Sequence, residues 1–348
     1  MTNRRQFLTR GAAAIAAAAL APSVLSSCGE APKSTPVSDG KPCSDFAGVH
    51  IGAISYSWRS MPAGLENIVK YAKESNCSNL ELMSSDLETY LGIPANPANA
   101  FREAFNKQVA ELKAKDPNAP TPTLTYTPEQ QAQIDKYAED VKNFRVNVDM
   151  NKVAQAKKLF DDAGISIHIV KFSPANWSDD EIRYAFKVAK AMGAGAVTNE
   201  ISQEAADRLA PFAKEAGMVI AFHNHMQYAT EGFSCDPILA AGEAVMLNFD
   251  TGHYFGSTGK DPVAFIDKYH DRIFSIHLKD KTGPTRTPGN ANQVWGQGES
   301  PLERILHCLQ EKYPNIYADI ELEYEIAPWS NQVKETATCV KYARQILL

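Results

Sequence analysis

No two cysteines of this chain stand in C-x-x-C spacing, and that excludes a zinc ribbon. Cys43, Cys77, Cys235, Cys308 and Cys339 are scattered; one disulfide is compatible with an oxidising compartment, but spacing selects no pair. The chain also lacks a basic block. Its formal net charge is -6, so the electrostatic footprint of a nucleic-acid partner is missing. There is no Gly-rich phosphate turn after the first strand-like run, where Ser55-Tyr56-Ser57-Trp58 stands instead, which argues against a doubly wound dinucleotide-type sheet. Nor is there a basic cluster suited to a phosphate; Arg272 and Arg286 are at most single candidates. The Ala-rich apolar run at 11–25 is too short to compete as a membrane span.

That run has a different reading. It follows Arg4-Arg5-Gln6-Phe7-Leu8, a twin arginine before an apolar pair, and it precedes Leu25-Ser26-Ser27-Cys28, which resembles a lipobox. Residues 1–27 are therefore expected to be an export signal, with Cys28 the lipidated mature N-terminus. The rival is an ordinary twin-arginine signal and a chance cysteine. Residues 28–48, rich in Pro, Ser, Lys and Gly toward 30–41, read as a tether. The expected location is periplasmic or cell-envelope, with membrane contact through the lipid alone. Gly29 after Cys28 is compatible with release to the outer membrane.

From residue 49 onward short β-branched or apolar runs alternate with 3.6-period stretches. Strands are expected at 49–56, 79–83, 164–172, 194–201, 218–223, 245–250, 273–278 and 316–322. Helices are expected at 65–74, 179–192, 203–216 and 332–346, with Ser178 or Asp179 as an N-cap and Gly193 and Gly217 as stops. Eight strand–helix units in one domain of about three hundred residues predict an α/β fold, a (β/α)₈ TIM barrel over 49–348. The repeat is interrupted once. Residues 84–150 are too long for a loop and hold helical stretches at 99–115 and 129–143, an insertion after strand two that is either a lid over the active-site face or an inert decoration.

Barrels keep catalytic groups at the C-terminal ends of their strands. Here the fourth strand ends in Glu200, the fifth in His223-Asn224-His225 and the sixth in Asp250-Thr251-Gly252-His253. The seventh ends in His277-Leu278-Lys279-Asp280, and the eighth runs Asp319-Ile320-Glu321-Leu322-Glu323. Any one of these is more often structural; Asp250 can simply cap the next helix. Five successive strand ends of this kind point to a shared divalent metal. Mixed imidazole and carboxylate ligands suit Mn²⁺, Co²⁺ or Zn²⁺ better than Mg²⁺ or Ca²⁺.

His223-Asn224-His225, Asp250-Thr251-Gly252-His253, Gly259-Lys260-Asp261-Pro262-Val263, His277-Leu278-Lys279-Asp280 and Glu321-Leu322-Glu323-Tyr324 together resemble the xylose-isomerase-like sugar (phosphate) isomerase/epimerase superfamily. The resemblance is closest to its secreted branch, which includes lyases of 3-keto-glycosides. It implies that Asp250, His277 and Glu321 (with Glu323 second) are metal ligands, and that His253 contacts substrate. Family epimerases place a further glutamate where this chain has His223; Glu200 on the neighbouring strand is the expected substitute ligand. His223 then falls to the substrate, and the histidine pair also resembles inosose dehydratases.

The resemblance implies removal of a proton beside a carbonyl. Glu321, Glu200 or His225 is the expected base, and Lys279 the oxyanion partner or proton donor, unless it is only an exposed rim lysine. Trp58, Trp295 and Tyr254 are candidate sugar-stacking residues or plain packing. Glu299 reads as a charge at a helix N-terminus. The substrate is expected to be an unphosphorylated carbohydrate, and the outcome isomerisation, epimerisation or β-elimination. A carbohydrate-binding barrel lipoprotein without turnover is the rival class. An apurinic endonuclease of the same fold is disfavoured by the acidic balance.

Overall fold

The computed structural model describes residues 40–348. The signal and lipidation expectations, residues 1–27 and Cys28, and most of the tether lie outside them. The last tether residues belong to the barrel floor. Asp45–Phe46 pairs antiparallel with His50 and Val49, and buried Ser44 hydrogen-bonds to Ser78 and to the Ile51 carbonyl.

Among the described residues eight parallel strands close into a barrel: β1 (Val49–Ile54), β2 (Asn79–Met83), β3 (Ser166–Lys171), β4 (Ala196–Glu200), β5 (Val219–His223), β6 (Val245–Asp250), β7 (Ile273–Leu278) and β8 (Tyr317–Ile320). Each pairs with its sequence neighbour, and β8 pairs with β1 to remove the sheet edges. These strands are buried on both faces, as a parallel sheet under helices requires. Their boundaries match the sequence expectation within a few residues.

The surrounding helices are α1 (Leu65–Glu74), α2 (Ser84–Leu91), α3 (Pro97–Lys115), α4 (Pro128–Val146), α5 (Met150–Ala163), α6 (Asp179–Ala191), α7 (Gln203–Ala216), α8 (Asp236–Leu239), α9 (Thr251–Thr258), α10 (Pro262–Tyr269), α11 (Leu302–Lys312) and α12 (Gln332–Leu347). Local chemistry sets their ends. Ser178 and Glu181 form a capping box on α6, and Gly217 closes α7 in a left-handed conformation. Two departures from a regular repeat matter. After β5 only a 3-10 turn, Gln227–Ala229, and the single turn α8 form. After β7 the chain makes a small hairpin, Asp280–Lys281 with Asn292–Gln293, before α11.

The insertion is a helical hairpin at the end of the barrel where β2 terminates. No residue of α3 is buried, and only Val141 of α4 is. Its base is clamped by Arg145, which reaches Glu88 at 2.9 Å and Glu181 at 3.1 Å and stacks 3.4 Å over the Trp177 ring. The five described cysteines are free thiols, four of them buried, so no disulfide staples the barrel. Among the described residues no helix is long and apolar enough to cross a membrane.

Candidate metal centre and active site

Strand alternation sends every second side chain inward, and the parallel register sets the inward ones at two depths. Asn248 lies opposite Ser275, and Asp319 opposite His277 one level above it. Asp250 pairs with His277 and Glu200 with His223 at the mouth. Gly52 on β1 leaves the room this needs: a Cβ there would collide with the Asp319 carboxylate.

At the upper level His223, Asp250, His277 and Glu321 each aim one ligand-type atom at a common space, all within 4.8 Å of one another. His277 Nδ1 is 2.7 Å from Glu321 Oε2 and 3.8 Å from Asp250 Oδ2; His223 Nε2 is 3.4 Å from the same Asp250 oxygen. All four residues are buried. His223 Nε2 and Asp250 Oδ2 have no hydrogen-bond partner, which is costly unless something fills the space between them. Two imidazoles and two carboxylates, with one atom of His223 and one of Asp250 unpartnered, fit a divalent ion of the Mn²⁺, Co²⁺ or Zn²⁺ kind. Asp250 does cap a helix as well: its Oδ1 accepts the His253 backbone N–H at 2.7 Å, starting α9, while Oδ2 faces the cluster.

Lys279 is no rim lysine. It is buried, with Nζ 2.8 Å from Asp250 Oδ2, 2.9 Å from Glu321 Oε2 and 2.8 Å from Glu323 Oε2. The approach to Asp250 is close without being directed as a hydrogen bond. Burial opposes the ammonium charge, but these carboxylates outweigh it and raise the lysine pKa. Burial likewise opposes ionisation of Asp250 and Glu321. Lys279 with His253 and His223 for Asp250, and Lys279 with His277 for Glu321, hold both carboxyls well below their usual range. His277 is pushed well above its ordinary value by Glu81 and Glu321 against its desolvation. Desolvation brings His253 down to about 4, so its Nε2 accepts from Lys279 Nζ at 2.9 Å as a neutral ring.

Glu200 and His223 fall differently from the sequence expectation, although Glu200, His223 and His225 form a second group that could hold an ion. Glu200, expected as a ligand, is outside the four-residue cluster; it bonds Lys171 at 3.0 Å and His223 at 3.2 Å, which keep it ionised despite burial. His223, expected at the substrate, joins the cluster. The reason is geometric: Glu200 sits on β4, one strand farther from β6 than His223 on β5. His225 is half-exposed, 3.8 Å from Glu200, with its pKa lowered first by burial and then by His223. Glu321 is the cluster member of its strand, whereas Glu323 serves Lys279 and stands 3.5 Å from His253.

The aromatic candidates go to packing. Trp58 ends a 3-10 turn that folds it into the core, where its indole N–H donates to Thr336. Trp295 packs edge-on against Tyr342, and Tyr254 joins Tyr228, Phe249 and Phe265. Glu299 pairs with Arg286 and the Gly283 N–H instead of a helix N-terminus. Asp280 accepts the backbone N–H of Gly296, Gly298 and Ser300, anchoring the loop beside the mouth. The sequence reading passed over Glu81, Lys171 and Lys281. All lie inside the barrel end, and the signal for Glu81 was present: a lone carboxylate in the apolar strand Asn79-Leu80-Glu81-Leu82-Met83.

Residues 131–343 match the profile of the xylose isomerase-like TIM barrel family, and the chain belongs to that family. Among curated proteins it is similar to inosose dehydratase of Lacticaseibacillus casei, 39% identical over 77 residues, and to that of Clostridium beijerinckii, 36% identical over 77. Each match covers 21% of this chain and 26% of the relative, so it spans about a quarter of those proteins. Among solved structures it resembles a sugar phosphate isomerase/epimerase of Parabacteroides distasonis (14% identity, 89% of this chain and 97% of that one, TM-score 0.54). It also resembles a probable 3-DHS dehydratase of Bacillus anthracis (11%, 84% and 98%, TM-score 0.53). At these identities the structural likeness speaks for the fold alone.

The depressed carboxyls fix a pH dependence. A carboxyl lowered in the folded state stabilises above its unfolded pKa, about 4, and that contribution is lost as pH falls toward the folded value. In metal-free protein the thermal midpoint should fall steeply below about pH 4, and Asp250→Asn should flatten that acid limb. Equal slopes for the two proteins in a pH series of melting curves would contradict the assignment.

Proposed function

We propose that this chain is a divalent-metal-dependent enzyme that removes a proton from the carbon beside a carbonyl of an unphosphorylated sugar or keto-glycoside. β-Elimination is favoured over isomerisation and epimerisation. The observation that carries the reading is the four-residue cluster His223, Asp250, His277 and Glu321 at the barrel mouth, with His225 and Glu200 beside it. An ion held there would supply Lewis-acid polarisation of the substrate carbonyl.

The chain's own groups do the rest. His225, neutral and half-exposed, takes the proton, with Glu200 next to it to favour the imidazolium that results. The C–H electron pair moves toward the carbonyl, whose developing charge faces the Lys279 ammonium. In elimination the pair returns to expel a group from the next carbon, and that group leaves with a proton from solvent. A histidine on β5 where family epimerases keep a glutamate favours this outcome, because the second proton-moving carboxylate of an epimerase is missing from that position.

An unphosphorylated substrate is supported by the fate of the cations. Arg272 is spent on the carbonyls of Leu239, Gly242 and Val245, and Arg286 on Glu299. Lys171 and Lys279 are matched by carboxylates, which leaves Lys281, 3.4 Å from His253 Nδ1, as a single cation rather than a cluster. Export under the twin-arginine signal and lipidation at Cys28 belong to the same proposal, resting on the residue order at 4–28. The mature membrane-bound protein should then begin at a diacylglyceryl-modified Cys28; an intact mass without that modification would refute the anchor.

Proton NMR in D₂O tests the chemistry, with unphosphorylated sugars and 3-keto-glycosides as substrates. Deuterium should enter beside the carbonyl, stop with EDTA and resume with added Mn²⁺. His225→Ala should slow it by roughly a hundredfold. Aglycone release in step with exchange selects elimination. Sugar binding with no exchange from metal-loaded protein would instead establish a carbohydrate-binding barrel.

A further inference from the structure

Beneath the ligand cluster lies a short chain of buried polar groups that the proposed chemistry does not use. His277 offers Nδ1 to the cluster and turns Nε2 down into the barrel, where it meets Glu81 Oε2 at 2.8 Å. The same Glu81 oxygen accepts from Asn248 Nδ2 at 2.8 Å, and Asn248 Oδ1 accepts from the Ser275 hydroxyl at 2.8 Å. All four side chains are buried. Because Ser275 is a donor to Asn248 Oδ1, the amide is oriented with its N–H group toward Glu81. Nδ1 meets Glu321 Oε2 at 2.7 Å in the same way, so without an ion both ring nitrogens face carboxylates; an ion that takes Nδ1 leaves the Nε2–H bond to Glu81 as the contact that holds the ring.

We infer that Glu81 is the positioning residue of the metal centre: it fixes His277 as the Nε2–H tautomer, sets the plane of its ring and raises the donor strength of Nδ1. The inference rests on the metal-centre reading above. It assigns a task to a strand, β2, that supplies none of the four ligands. A carboxylate bonded to the far nitrogen of a metal-binding imidazole typically contributes ten- to hundredfold in metal affinity. Glu81 also explains why Asn248 and Ser275, with no access to substrate, are polar in a barrel interior: they hold the carboxylate that holds the histidine.

The test is the Mn²⁺ dissociation constant of metal-free protein, measured by competition with a chelating indicator, alongside the melting midpoint of the same metal-free samples. Glu81→Gln keeps the shape and an acceptor oxygen but removes the charge, and should weaken Mn²⁺ binding by about tenfold. Glu81→Leu, which removes the acceptor, should weaken it by about a hundredfold. A merely structural role would lower the melting midpoint while leaving the affinity of folded protein unchanged. Unchanged affinity in folded Glu81→Gln therefore overturns the positioning role alone. Wild-type protein that binds no Mn²⁺ overturns the metal reading and this inference with it.

Discussion

Carboxylates inside a barrel are costly, and this one holds Glu81, Asp250, Asp319 and Glu321 out of water. Everything at the mouth follows from how they are balanced. Lys279 lies against Asp250, Glu321 and Glu323, and His277 is gripped between Glu321 and Glu81. His168 pairs with Asp319 at 2.8 Å, where burial and the Glu81 charge still raise the Asp319 pKa. Removing one partner from such a set strands the other, a loss of about 3–5 kcal/mol in buried pairs. The polar layer thus constrains which residues can sit above and below it.

That constraint links fold to chemistry. The barrel closes so that alternate residues of β4 to β8 converge, and the parallel register sets His277 between Asp250 on one neighbouring strand and Asp319 on the other. The cluster side chains therefore stand on strands or one residue past a strand end, with little freedom to rearrange, while Glu200 and His225 sit at the more exposed rim. A rigid floor with a wetter edge suits a reaction in which a carbonyl must be held still while a proton leaves for solvent.

Much of this was legible in the sequence, for physical reasons that differ by residue. The eight strands could be read because parallel strands buried on both faces are continuous apolar runs. The site could be read because its ligands stand at consecutive strand ends. Which of Glu200 and His223 stands with Asp250, His277 and Glu321 was not legible, since sequence order does not say which of two adjacent strands leans closer to β6. Trp58 was read as a sugar platform because a strand end lies at the mouth, but a 3-10 turn follows β1 and carries the indole back into the core. Glu81 was passed over because one glutamate in an apolar pentapeptide has no motif; only the fold shows that it meets His277.

The central claim is that His223, Asp250, His277 and Glu321 hold one divalent ion. Diffraction from Mn²⁺-loaded crystals, recorded at a wavelength that maximises manganese anomalous scattering, tests it most directly. The account predicts one strong anomalous peak bounded by those four side chains. A peak instead among Glu200, His223 and His225, or none in the barrel mouth at saturating Mn²⁺, would contradict it.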